Sequence, residues 1–306
     1  MKGKELNTIA LYARCTLCPR ACGAMRNEGK MGFCHETDSL VVGRAALHFW
    51  EEPCISGEKG SGTVFFAGCN MGCIFCQNYE LSRGKVGKAI TIERLADIFF
   101  DLQAQGAHNI NLVTPTHYVP HIKEAIIIAK KEGLLLPIIY NCSGYESVDT
   151  LKLLDGLVDI YLPDFKYAED ELAMRYSKAK NYVKHTKAAI AEMVRQVGRP
   201  VFDGDGMMQK GVIVRHLLLP GQLMGAKQIV KYLYETYGHT IYMSLMNQYT
   251  PLESVQALPE LNKKVTRKAY NRLIDYALNI GVENAFMQEG QTASESFIPA
   301  FNGEGV

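Results

Sequence analysis

The sequence predicts an α/β protein, a partial open (β/α)6 TIM-like barrel preceded by a small N-terminal cysteine-rich subdomain. Three observations carry that expectation. From about residue 62 onward, short apolar runs alternate with longer amphipathic segments, six times in succession, and such alternation implies a parallel sheet with right-handed crossovers. The runs are rich in β-branched and aliphatic residues, as strands covered on both faces require. Five of the nine cysteines fall in the first 58 residues, which have a different texture from the rest. Six units fall short of a closed eightfold barrel, so an open one fits the count.

Residues 1–58 are expected to form the cysteine-rich subdomain, with scattered glycines and short apolar runs such as SLVVGRAALHFW. Residues 59–290 then supply the barrel. GTVFFAG (62–68) reads as a buried strand. TIERLADIFFDLQAQ (91–105) has helical spacing with Thr91 at its N-cap. NINLVTP is the next strand, followed by a helix through HIKEAIIIAKKEG that closes on a glycine. LPIIYNCSG, VDIYLPDFK, GVIVRHLLLP and TIYMSLMNQYTP give four more strands, with helices near 147–155, 169–197, 225–237 and 266–280. Residues 291–306 are expected to be an irregular tail.

Composition narrows the class of function. The chain has 306 residues, 47% of them hydrophobic and 21% charged, and its 33 basic and 32 acidic side chains leave a formal charge of +1. That balance excludes a disordered chain, a collagen-like repeat and a nucleic-acid binder relying on bulk positive charge. It also supplies no long-range steering toward an acidic membrane. No apolar run is long enough to span a bilayer, and the first residues lack the apolar core of a secretory signal. The expected location is the cytoplasm, where thiols stay reduced. Clustered cysteines there point to metal rather than to disulfides.

The sharpest cluster is Cys69-Asn-Met-Gly-Cys73-Ile-Phe-Cys76, directly after the first barrel strand. Parallel sheets bind ligands at the carboxyl ends of their strands, so this loop sits where a site belongs. Three thiolates in this spacing can wrap one side of a 4Fe–4S cube and leave one iron without a protein ligand, an open and hence catalytic position. The alternatives are a zinc site completed by a distant histidine, or three cysteines packed in the core.

The C-x3-C-x2-C motif with Phe75 before its last cysteine resembles the signature of radical S-adenosylmethionine (SAM) enzymes. The wider string GSGTVFFAGCNMGCIFCQNYELS is similar to the branch related to pyruvate formate-lyase activating enzymes. The resemblance implies a 4Fe–4S cluster held by Cys69, Cys73 and Cys76, with SAM at the open iron, cleaved by one electron to a 5′-deoxyadenosyl radical that abstracts hydrogen from a substrate. It also implies where SAM is gripped. Relatives carry a glycine-glycine-glutamate segment after the second strand; this chain has Thr114-Pro115-Thr116-His117, whose hydroxyls and carbonyls can accept from an ammonium. Asn141 and Cys142 fall where polar ribose or cation contacts are placed, with a plain buried thiol the expectation for Cys142. Asp164 and Lys166 match an Asp-x-Lys pair at the fourth strand end. Arg215 and His216 alternate on a strand, so one points inward, and the bidentate fork of Arg215 suits the SAM carboxylate. Asn247, Gln248 and Tyr249 are candidates for substrate contact.

Cys15-x2-Cys18-x3-Cys22, followed by Cys34, offers four more thiolates, the number that closes a site. Structural zinc, a second iron–sulfur cluster feeding the first, or unmetallated thiols all remain open, and His35 can replace one thiolate. Arg20 beside them adds little. The expected function is radical SAM chemistry on a glycine of a partner enzyme, with an electron donor such as flavodoxin or ferredoxin. Radical modification of a small molecule or another side chain is the enzymatic alternative, and an iron–sulfur electron carrier or redox sensor the non-enzymatic one. Neither a membrane nor a nucleic acid is an expected partner.

Overall fold

Thr91 accepts a hydrogen bond from the Arg94 backbone N–H at 3.1 Å and so starts the helix Ile92–Ala104, whose buried stripe is Leu95, Ala96, Ile98, Phe99 and Leu102. Thr266 caps Arg267–Asn279 in the same way. Helices of this kind cover a single sheet in the computed structural model, which describes residues 10–288 and 299–306. Its strands are β1 (Leu40–His48), β2 (Ser61–Phe66), β3 (Lys88–Ile90), β4 (Ile110–Val113), β5 (Ile138–Cys142), β6 (Ile160–Pro163), β7 (Val201–Phe202), β8 (Met208–Leu217), β9 (Tyr242–Met246) and β10 (Ala285–Met287).

The strand order is β10-β9-β8-β6-β5-β4-β2-β1-β3, with β7 paired to β8 off that path. All pairings from β2 to β10 along the path are parallel, while β1 runs antiparallel to both β2 and β3. Because β10 and β3 end the path without meeting, the barrel is partial and open. The six expected parallel strands are all present. The seventh, β10, is three residues long and has no periodicity to read. Residues 40–48, expected within the cysteine-rich subdomain, pair with β2 and so join the sheet. The long helix expected over 169–197 is two, Asp170–Ser177 and Tyr182–Val197. Lys178 and Asn181 between them take left-handed φ of 51° and 53°, which a continuous helix cannot hold.

What fills the half-barrel is its own preceding chain. After β1 the segment turns under the sheet, and Cys54 and Ile55 of the short helix Pro53–Ser56 pack against Ile139, Ile160, Leu162 and Ile213. Asn109 donates to the Ile55 carbonyl at 2.8 Å and fixes this plug. At one end of the sheet, residues 299–306 lie along β1. The Ala45 N–H donates to the Glu304 carbonyl at 2.9 Å, and Arg44 pairs with the Glu304 carboxylate at 2.9 Å. A Cβ on Gly305 would stand 2.0 Å from the Ala45 carbonyl oxygen, so only glycine fits there. The cysteine-bearing turns of residues 10–39 lie outside the sheet. No described helix is long and apolar enough to cross a membrane.

Candidate active site

The site begins where β2 ends. Gly68 has φ +80°, and a Cβ on it would be 2.6 Å from the Cys34 carbonyl oxygen, so glycine alone lets the chain turn here. The Cys69 N–H donates to that same carbonyl at 3.3 Å. The loop then places Cys69, Cys73 and Cys76 on one cavity of about 240 Å³. Two of the sulfurs accept hydrogen bonds: Cys69 Sγ from the Met71 N–H at 3.3 Å, and Cys73 Sγ from the Ser177 hydroxyl at 3.0 Å. Hydrogen bonds to ligand sulfurs tune an iron–sulfur centre. Among the described residues no three of His, Cys, Asp and Glu are gathered for a single metal ion.

Arg20 holds the loop in place. Its guanidinium stacks on the Phe33 ring at 3.7 Å and donates to the carbonyls of Asn70 (2.8 Å), Met71 (3.1 Å), Ser177 (2.7 Å) and Lys178. Beside the cysteines Arg20 looked of little account, because its acceptors are backbone groups distant along the chain.

Across the cavity stand the strand ends. Thr114, Asn141, Asp164, Lys166 and Arg215 all line it, as do Cys142, Gln248 and Tyr249. Arg215 is the hub: Nε donates to Asp164 at 2.9 Å, one terminal nitrogen to Glu51 at 3.1 Å and the other to Asn141 at 2.6 Å. Lys166 reaches the other Asp164 oxygen at 2.5 Å. Burial alone would raise the Asp164 carboxyl, but Arg215 and Lys166 outweigh it and hold the group below its ordinary range. His216, one residue on, faces away: its Nδ1 meets the Phe165 carbonyl at 2.7 Å, and burial lowers its pKa to about 4.

Two expectations change in detail. The Arg215 fork, expected on a SAM carboxylate, is taken up by Glu51, Asp164 and Asn141. Thr116, expected beside Thr114 on the cofactor, is 1% exposed and donates to Glu146 at 2.9 Å. The 3-10 turn Thr116–Tyr118 rotates it inward, whereas Thr114 stays on the cavity with φ +59°. Glu146 also accepts from Tyr140 at 3.0 Å. Burial raises its carboxyl to about 8, against the pull of those donors.

The acids Glu51 and Glu52 have no motif around them and are absent from the sequence reading. Both line a second cavity of about 390 Å³ that shares Arg215, Met246 and Gln248 with the first. Glu52 Oε2 is buried there without a hydrogen-bond partner.

A model of the radical SAM superfamily matches residues 63–233, more than half of the chain. The chain belongs to the radical SAM superfamily. Two uncharacterized proteins of Methanocaldococcus jannaschii resemble it. One is 27% identical over 277 residues, covering 87% of this chain and 75% of that protein. The other is 25% identical over 158 residues, 46% of each. Among solved structures, Streptococcus suis SuiB bound to S-adenosylmethionine aligns at 14% identity and a TM-score of 0.49, over 72% of this chain and 48% of that one. The FeFe-hydrogenase maturase HydG from Carboxydothermus hydrogenoformans aligns at 14% and 0.44, over 76% and 58%. This radical SAM chain thus spans about half the length of the SuiB chain it matches.

A radical SAM site needs an iron–sulfur cluster and SAM, and the residues present fit both. Three cysteines open onto one cavity, the sulfurs of Cys69 and Cys73 accepting hydrogen bonds, and polar strand ends stand opposite them.

Proposed function

We propose that this chain is an oxidoreductase that cleaves S-adenosylmethionine to abstract hydrogen from a glycine of a partner enzyme, in the manner of pyruvate formate-lyase activating enzymes. The observation that carries the reading is that Cys69, Cys73 and Cys76 share one cavity with Thr114, Asn141, Asp164 and Lys166. When bound, the cluster and SAM supply one-electron cleavage of a sulfonium bond and a primary carbon radical. The protein's part is placement. Cys69, Cys73 and Cys76 would hold the cluster, and the Thr114 hydroxyl would accept from the SAM ammonium. Lys166 spends one of its three donors on Asp164 and keeps the others for a carboxylate. Arg215 acts as a positioning residue, fixing Asp164 and Asn141 toward the cavity. The electron comes from a donor of the flavodoxin or ferredoxin class.

An open sheet edge suits a peptide loop, and this favours a protein substrate. The adjoining 390 Å³ cavity with Glu51, Glu52, Ser244 and Gln248 favours a second reading, radical modification of a small molecule held by those polar anchors.

Electron paramagnetic resonance of the oxygen-free, reduced protein tests the first step. A 4Fe–4S signal that changes shape with SAM, together with 5′-deoxyadenosine release, is expected. Alanine at Cys69, Cys73 or Cys76 should abolish that release. A signal indifferent to SAM would leave an iron–sulfur carrier or sensor as the reading.

A further inference from the structure

We infer that Cys15, Cys18, Cys22 and Cys34 hold a second, redox-active iron–sulfur cluster through which electrons enter the site. The inference rests on the proposed function only for the destination of the electron. Two turns bring these cysteines together. Cys15 and Ala24 pair through a 3.0 Å backbone bond, and Gly23 returns one to Cys15 at 3.0 Å, so Cys15, Cys18 and Cys22 sit on one small hairpin. The second turn closes where the His35 N–H donates to the Gly32 carbonyl at 3.0 Å. Gly32 is the point where the turns meet. A Cβ there would lie 3.3 Å from Cys34 Sγ and 3.5 Å from Cys22 Sγ, so a side chain would fill the space between the two sulfurs.

A buried cation marks the same place. Arg26 is 0% exposed, and its acceptors are the carbonyls of Glu36, Thr37 and His117 plus the Cys15 sulfur at 3.8 Å. The rings of Tyr12 and Tyr118 flank it. A guanidinium taken fully out of water needs countercharge, and besides the Glu36 carboxylate the sulfurs of Cys34 and Cys15 act on it. A thiolate-ligated centre, net negative, adds to that countercharge.

The position argues for electron transfer rather than structural zinc. Cys22 is exposed, Cys18 is half-buried, and Cys15 and Cys34 are buried. At the inner end the Cys34 carbonyl accepts from the Cys69 N–H, and Arg20, two residues after Cys18, donates to Asn70 and Met71 between Cys69 and Cys73. The four thiols therefore run from the surface to the loop that holds the catalytic cluster. Zinc carries no electron, and the four thiols are not gathered for a single ion. The step balances simply: one electron leaves a reduced flavodoxin- or ferredoxin-class donor, rests at the Cys15–Cys34 centre and passes to the Cys69–Cys76 centre. No bond forms or breaks and no proton moves.

The test uses the full chain carrying Cys69→Ala, Cys73→Ala and Cys76→Ala together, reconstituted with iron and sulfide without oxygen. About four irons should remain, with a reduced 4Fe–4S resonance signal that SAM does not alter, against about eight irons in the wild type. Adding Cys15→Ser and Cys18→Ser should remove them. A folded triple variant that holds no iron, or one zinc instead, overturns the inference, as does a wild-type count of about four should the variant not fold. The relay is read in the wild type by mixing with limiting reduced flavodoxin and freezing at short times. The SAM-insensitive signal must appear before the SAM-sensitive one, and the reverse or a simultaneous rise refutes the route. Loss of the SAM-sensitive signal alone would count against the catalytic reading and leave the second cluster standing.

Discussion

Thr114 is a β-branched residue held at φ +59°, a conformation that costs roughly 1–3 kcal/mol outside glycine. Its sequence neighbours gave it as a candidate cofactor contact, and its place on the cavity fits that use. Thr114→Gly should therefore act in opposite directions on two measurements. The unliganded protein should gain about 1 kcal/mol in urea unfolding, while SAM affinity by equilibrium dialysis should fall by roughly tenfold with the lost hydroxyl. Equal SAM affinity in the glycine variant would remove Thr114 from the site. Thr116, two residues on, was indistinguishable from it in sequence. What separates them is one turn of 3-10 helix, a backbone rotation that no side-chain chemistry announces. Its partner Glu146 carries a pH signature. Ordinarily ionising near 4.5, its carboxyl is raised by burial to about 8. Between those values the folded chain keeps a proton that the unfolded chain has lost. The stability this contributes is full below about 4.5 and drains as pH rises through about 8. Denaturant midpoints from about pH 5 to about pH 9 should decline in the wild type and flatten in Glu146→Gln. A parallel decline in both would place the titration elsewhere.

At the scale of single elements, the strand ends were legible because alternation fixes which residue of a pair faces inward, and Arg215 over His216 follows from that rule. The cysteine loop was legible because its ligand spacing is local. The plug under the sheet was not: Glu51 meets Arg215 across 164 residues, and nothing near Glu51 in the chain signals a buried acid. Glu51→Gln should cost roughly 3 kcal/mol, the usual loss when a buried ion pair is broken from one side, while Asp101→Asn, which breaks the exposed Arg94–Asp101 pair, should cost little. The Arg20 clamp was equally invisible, since it binds carbonyls. Arg20→Lys keeps the charge but loses the fork. Iron retained at Cys69, Cys73 and Cys76 after gel filtration should fall several-fold, with the rest of the fold unchanged by circular dichroism. Full retention would reduce Arg20 to a packing residue.

For the molecule as a whole, the class of fold and six of its parallel strands were readable from alternation alone, and the extent of the sheet was not. β1, β3 and β10 extend it at both ends, the last two only three residues long and the first hidden among cysteines. The break at Lys178–Asn181 was lost because no glycine or proline punctuates residues 169–197, although the buried face shifts across it, from Ala173 and Tyr176 to Tyr182, Thr186, Ala189 and Met193. The plug also sets the order in which the chain becomes a protein. Glu51 and Glu52 are synthesised ahead of every parallel strand, yet their cation arrives only with β8. A nascent chain released before Arg215 holds two carboxylates under an unfinished sheet with nothing to neutralise them. The ion pair closes only across 164 residues, and contacts of such separation slow folding. That delay also makes the half-emerged polypeptide a natural client for chaperones.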